Sequence, residues 1–355
     1  MTRTDRIAAE LKDATHAALI TSPVARQYAN GFKSSAGVVF VTREQSYFLI
    51  DARYYEKASQ QAEGVEVILL SDIRKQLWSI IERHGIKVIS IESKTVTVSE
   101  LEDFKKLFNP LIVDASNWLS TTLEKMRIIK SPEEIQKIEA AQKIADTALS
   151  KLLTNIRPGM TEKQVASVLD FYMMDLGADG LSFETIAASG INSACPHAVP
   201  TDKPIQKGEF LTLDFGAVVD GYHSDMTRTV VIGEPTDEML TVYNAVLGAQ
   251  TDALKAVHAD ITGKLLDNVA RSTLEAWGYD KYFTHGLGHG VGLEIHESPT
   301  VSSKSPFTLH ENMIITIEPG VYIPHKFGVR IEDMVVVTTD GCIDLAHSPK
   351  TLTRI

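Results

Sequence analysis

Residues 284–297 carry three histidines, His285, His289 and His296, and four glycines at alternate positions, Gly286, Gly288, Gly290 and Gly292. His285 and His289 stand four apart, the spacing with which a zinc-binding helix presents two imidazoles. A helix is implausible here, because each interior glycine costs about 1 kcal/mol relative to alanine. The glycines also miss the G-x-G-x-x-G spacing of a dinucleotide loop. Their alternation predicts extended, kinked backbone that another group approaches closely. A lone histidine is ordinarily a surface or satisfied core residue, but three around such a backbone read as a site.

Carboxylates decide what that site does. Asp214-Phe215-Gly216 ends one apolar run, Asp220-Gly221 follows, and the next run holds Asp225. Asp-Gly between apolar runs signals a two-residue hairpin turn. With that turn Gly216 lies opposite Asp225, and Asp214, two positions from Gly216, shares its face. The two aspartates are then diagonal neighbours, costly to bury without a cation. A second such segment runs through Glu318-Pro319-Gly320, a turn around 324–328, and Arg330-Ile331-Glu332-Asp333. The separation of 14 between Glu318 and Glu332 permits a shared face, and a plain Arg330–Glu332 pairing is the alternative. Four carboxylates suit hard ions such as Mg or Mn, and imidazole extends the range to Zn, Fe and Co. Four negative charges balance two divalent cations, an arrangement by which hydrolases activate water. A structural zinc site would instead use cysteine and histidine.

The elements that must position these groups follow from periodicity. Residues 1–125 alternate strand and helix: strands at 17–20, 37–41, 47–50, 65–70 and 87–91, with helices near 54–62 and 73–84, the latter stopped by Gly85. This predicts a mostly parallel or mixed sheet. After the boundary, Ser131, Pro132 and Glu134 predict a capped helix start. Thr161 with Gln164, and Thr262, start two further helices that end at Gly177 and Gly278. Both run 16 residues from threonine to glycine, offset by 101. Each is preceded by a helix, near 132–153 and 238–258, so two helix–helix–sheet halves are expected.

A chain of 355 residues holds about two domains. Its net charge of −11 argues against a nucleic-acid partner, which needs a basic face. No apolar run approaches the roughly 18 residues of a membrane span, and the start lacks the apolar core of a signal peptide. Two cysteines, Cys195 and Cys342, build no disulfide framework, so a cytoplasmic location fits.

Asp214, Asp225, His289, Glu318 and Glu332, in that order and spacing, resemble the metal ligands of the pita-bread metallopeptidases, within their proline-specific branch of prolidase and aminopeptidase P. Pro196-His197-Ala198, the His285–Gly290 stretch, Glu318-Pro319-Gly320 and Arg330-Ile331-Glu332-Asp333 carry the resemblance, and so do Tyr28, Gly31-Phe32 and Asp51-Ala52-Arg53-Tyr54 near the front. The resemblance implies an α+β chain. A smaller N-terminal α/β domain of creatinase type, ribonuclease H-like, would span 1–125, and a pita-bread catalytic domain 126–355. It implies an Xaa-Pro aminopeptidase using two divalent ions, Mn foremost, with Co, Zn or Fe compatible. Glu318 would be the base, His197 and His296 would stabilise the oxyanion, and His285 and Arg330 would support the site. Phe183 and Ile295 would line the proline pocket, and the enzyme would be a homodimer acting on Xaa-Pro peptides. Cys195, two residues before His197, offers a thiol-protease reading, but the metal constellation accounts for that histidine better. Thr300 stands where many dipeptide-cleaving relatives carry an arginine, which weighs against the dipeptidase alternative, with Lys304 as a substitute cation. A metal-dependent lyase on the same scaffold would keep every ligand.

Overall fold

A computed structural model describes residues 1–355. They form two compact units, Met1–Arg127 and Ile128–Ile355. In the first, six strands make one mixed sheet in the order Glu66–Leu69, Ser46–Ile50, Val38–Val41, His16–Ile20, Val88–Ile91, Ile112–Asp114. The expected hairpin across residues 42–45 is present, pairing Phe40 with Tyr47. Parallel neighbours need crossovers, supplied by helices Tyr55–Gln61, Ile73–His84 and Val98–Phe108. Gly85 ends the second of these at φ 62°. Helix Pro23–Asn30 is an addition to the expected elements; its Ser22 cap and leading proline are the local signal for it.

In the second unit a helix pair and a sheet occur twice. Helices Pro132–Asn155 and Glu162–Asp175 precede strands Ile186–Ser189, Phe210–Phe215 and Met226–Val231. Helices Asp237–Ala256 and Gly263–Ala276 precede the five-stranded sheet built from Gly288–Gly290, Glu297–Val301, Ile314–Ile317, Asp333–Val337 and Cys342–Asp344. Ser131 with Glu134, and Thr161 with Gln164, close capping boxes, and Thr262 caps the fourth helix. The likeness of the halves extends to a detail: the cap residues Thr161 and Thr262 each make an isolated antiparallel bridge, to Pro204 and Thr308. Leu149, Leu169, Leu213 and Met226 pack one core, and Val246, Leu266, Ile315 and Val335 the other.

Strand Gly288–Gly290 runs between Glu297–Val301 and Ile314–Ile317, with a register shift after His289. A Cβ at Gly288 would lie 2.0 Å from the Thr316 carbonyl oxygen, and one at Gly290 2.4 Å from that of Ser298. The alternate glycines thus let three backbones converge around His289. Gly288→Ala is expected to cost about 1–3 kcal/mol, the usual penalty of overpacking, read as a lower urea midpoint. An unchanged midpoint would show that the strand yields to a methyl group.

Candidate metal centre and active site

The Asp220-Gly221 turn has positive φ at both residues, 50° and 81°, as a type I′ hairpin requires. It pairs Val219 with Tyr222, and further out Phe215 with Met226 and Asp214 with Thr227. Continuity of that register sets Gly216 across from Asp225, the diagonal arrangement expected. The other hairpin pairs Ile317 with Asp333 and Gly320 with Arg330, one register that sets Glu318 directly across from Glu332.

The two hairpins meet edge to edge. The Thr227 hydroxyl donates to Glu332 Oε2 at 2.6 Å, and its carbonyl accepts the Glu332 N–H at 3.1 Å. His289 Nε2 lies 3.5 Å from Asp225 Oδ2 and 3.4 Å from Glu318 Oε1. Potential ligand atoms of Asp225, His289 and Glu332 all fall within 4.8 Å of one another. His289 Nδ1 bonds to the Gly290 carbonyl at 3.0 Å. A carbonyl only accepts, so Nδ1 carries the proton and Nε2 turns a lone pair towards the carboxylates. Thr316 braces both partners: its hydroxyl accepts the His289 N–H and donates to Glu318 Oε1, at 3.1 and 3.0 Å.

Asp214 is held by Arg330, whose Nη2 reaches Oδ2 at 2.7 Å, while Asp214 Oδ1 is buried without a hydrogen-bond partner. Arg330 therefore pairs with Asp214 rather than with Glu332. Its Nε and Nη1 donate to the hydroxyls of Thr227 and Tyr322 at 3.0 and 2.8 Å. The Tyr322 hydroxyl donates a hydrogen bond to His285 Nε2 at 2.8 Å, since His285 Nδ1 donates to the Gly286 carbonyl.

Burial, reinforced by Asp214 and Glu318, pushes the Asp225 carboxyl well above its usual range. Burial and then Asp225 do the same to Glu332. Burial lifts Glu318 to about 7. It also holds His285 down at about 4 and lowers His289 and His296. Four carboxylates face one guanidinium, with one carboxylate oxygen orphaned, one imidazole lone pair aimed inward, and no cysteine in the cluster. Such an oxygen-rich, charge-unbalanced set fits hard divalent cations.

These groups line a cavity of about 540 Å³, and the structure brings His197, His285, His296, Arg330, Phe183 and Ile295 to the same wall. The His296 ring stands edge-on to His289 with centroids 4.5 Å apart. Thr300 and Lys304 are exposed and neither is among the residues lining the cavity, although Thr300 pairs with His289 across the strands. Thr227, Thr316 and Tyr322 are not among the residues that motif and spacing single out. A signal existed for the threonines, because Thr227 is two beyond Asp225 and Thr316 two before Glu318, hence on the same faces.

Residues 136–339 match metallopeptidase family M24, and residues 3–129 match the creatinase/prolidase N-terminal domain. The chain belongs to metallopeptidase family M24. It is thus a hydrolase of a family that uses divalent metal, with a creatinase-type N-terminal domain followed along the chain by the pita-bread catalytic fold. Among its relatives, the uncharacterized peptidase YqhT of Bacillus subtilis is 42% identical over 336 residues, 94% of each chain. The structure of an Xaa-Pro dipeptidase from Bacillus anthracis superposes with a TM-score of 0.94 at 38% identity, covering 99% of both chains. An X-Pro aminopeptidase from Thermotoga maritima gives 0.93 at 36% identity, covering 99% of this chain and 100% of that one.

A raised carboxyl pKa means that the folded state binds protons more tightly than the unfolded one. In metal-free protein the contribution of Glu318 is present below its ordinary value of 4.5 and lost as pH rises through about 7. EDTA-treated protein is expected to lose Tm between about pH 5 and pH 7.5. Glu318→Gln should flatten that slope, and added Mn²⁺ should restore Tm at the higher pH. A Glu318→Gln slope identical to that of the unmodified protein would remove Glu318 as its source.

Proposed function

We propose that this chain hydrolyses the peptide bond between an N-terminal residue and proline, as an Xaa-Pro aminopeptidase. Xaa-Pro dipeptidase activity is the alternative, and a lyase on the same scaffold is less favoured. The observation that carries the proposal is the convergence of four carboxylates, the His289 lone pair and two accessory imidazoles on one cavity. The names of two full-length structural relatives, an Xaa-Pro dipeptidase and an X-Pro aminopeptidase, support it. Product analysis separates the lyase, which eliminates without consuming water.

In this reading Asp214, Asp225, His289, Glu318 and Glu332 hold two divalent ions, Mn foremost, with Co, Zn or Fe compatible. Bound there, the cations supply Lewis acidity and an activated water. Glu318 would take up the proton released when water attacks the carbonyl before proline, because a general base must sit within hydrogen-bond reach of that water. His197 and His296 donate to the carbonyl oxygen as charge develops on it. Burial lowers the His296 pKa, keeping a neutral N–H donor there. Phe183 and Ile295 enclose the proline ring. Arg330 orients Asp214, and His285 steadies Arg330 through Tyr322. Residues 1–125 and 126–355 are the two domains of this enzyme, which acts in the cytoplasm as a homodimer. Free Cys195 and Cys342 agree with a reducing compartment. No helix is long and apolar enough to cross a membrane.

Chelation is expected to abolish turnover and Mn²⁺ or Co²⁺ to restore it. Glu318→Gln and His289→Ala should each lose nearly all activity. His296→Ala should keep its metal by elemental analysis yet turn over about 100-fold more slowly, the scale of losing one oxyanion donor. Metal loss from His296→Ala would make that imidazole a ligand instead.

Peptide length gives a sharper test. A dipeptidase must hold a free carboxylate just after proline, and a cation there contributes about 1.5–3 kcal/mol through charged hydrogen bonding. Apart from imidazoles, the cavity wall offers Arg330 as its cation, and Arg330 is taken by Asp214. Xaa-Pro-Yaa peptides are therefore expected to be cleaved at least as well as Xaa-Pro dipeptides, and Thr300→Arg should shift kcat/KM towards dipeptides. Strict dipeptide preference in the unmodified protein would show that another group, such as one from a second subunit, holds the carboxylate.

A further inference from the structure

Lys130 has no part in the roles assigned above. Its side chain is 2% exposed and its ammonium lies 3.4 Å from Glu297 Oε2, on a side chain 5% exposed. The Ile128 carbonyl accepts from it at 3.4 Å. Lysine is almost never fully buried unless paired, and removing one partner leaves an uncompensated charge. Glu297 directly follows Ile295 and His296. Its Oε1 accepts the Glu294 N–H at 3.1 Å, and it packs so tightly on Gly292 that a Cβ there would lie 2.6 Å from that oxygen. The Gly292 N–H bonds to the Glu294 carbonyl at 3.1 Å, and the Gly292 carbonyl accepts the His223 N–H at 2.9 Å. The Glu297 carboxylate is thus the hub of the 292–297 loop. Lys130, tied through its N–H to the Asn312 carbonyl at 2.9 Å, immediately precedes the Ser131 cap of helix Pro132–Asn155.

We propose that the buried Lys130–Glu297 ion pair is a positioning device for His296, fixing the loop so that its imidazole stands over the cavity beside His289. Neither partner lines the cavity, so the pair acts through His296 and not on the substrate. The proposal rests on the reading of His296 as a group that touches substrate.

The test compares Lys130→Met, Lys130→Arg, Glu297→Gln, His296→Ala and the double variant Lys130→Met/His296→Ala, each as the full metal-loaded chain. Bound metal, hydrogen exchange of residues 291–297, and kcat and KM on an Xaa-Pro-Yaa peptide are measured. Lys130→Met is expected to keep its full metal content and to exchange faster in that segment. Its kcat should fall about 10- to 100-fold, the range in which small misplacements act, with KM within about threefold, and Lys130→Arg should recover most of it. In the His296→Ala background the same change should cost less than about twofold, because residues acting through one another are not additive. Independent, multiplying losses, or loss of metal from Lys130→Met, would overturn the proposal. Should Lys130→Met not fold, Glu297→Gln carries the same comparison. If the unmodified protein cleaves no Xaa-Pro peptide, the proposed function fails. Faster exchange confined to 291–297 would still support the positioning device, and unchanged exchange would overturn it.

Discussion

Mutual repulsion among Asp214, Asp225, Glu318 and Glu332 is the constraint the second unit is built to contain. Left to themselves, four carboxylates so close would separate or take up protons, and burial already drives three of them towards protonation. The fold denies them the first escape. Each is carried on a two-stranded hairpin whose register is locked by paired backbone, and the hairpins are joined through Thr227 and Glu332. Arg330 neutralises one charge from within, and the remaining imbalance is what makes the centre a cation trap.

A second buried cation holds the seam from behind. Arg228 donates from Nη1 to the carbonyls of Thr227 and Glu332, from Nη2 to Asp333 and the Ser348 carbonyl, and from Nε to the Pro349 carbonyl. All five of its N–H groups are used, so the guanidinium is desolvated with little loss. Because Asp333 also receives Gln250 and Lys350, the residue beside Glu332 is fixed by helix, strand and C-terminal segment together.

Much of this was legible in the sequence, for a definite reason. The Asp-Gly turn, the capping boxes at Ser131 and Thr161, and the alternating glycines are local patterns whose consequences reach only a few residues. They suffice to set the first hairpin and to mark the His289 strand. Contacts spanning the halves are different. Nothing near Thr227 in the chain points to its contact with Glu332, and nothing near Lys130 points to Glu297, 167 residues away. Bracing hydroxyls such as Tyr322 escape notice because a tyrosine on an apolar strand reads as core until its partners, Arg330 and His285, are known.

The Asp220-Gly221 turn is short and Asp220 is exposed, the sort of place where surface loops ordinarily accept added residues. Here the turn works as a ruler. It lies between two acids whose shared face depends on an unbroken count, and one inserted residue, unless absorbed as a bulge, would rotate Asp225 to the opposite side of its strand. The letters at this tip are open to drift within what positive φ permits, but its length is not.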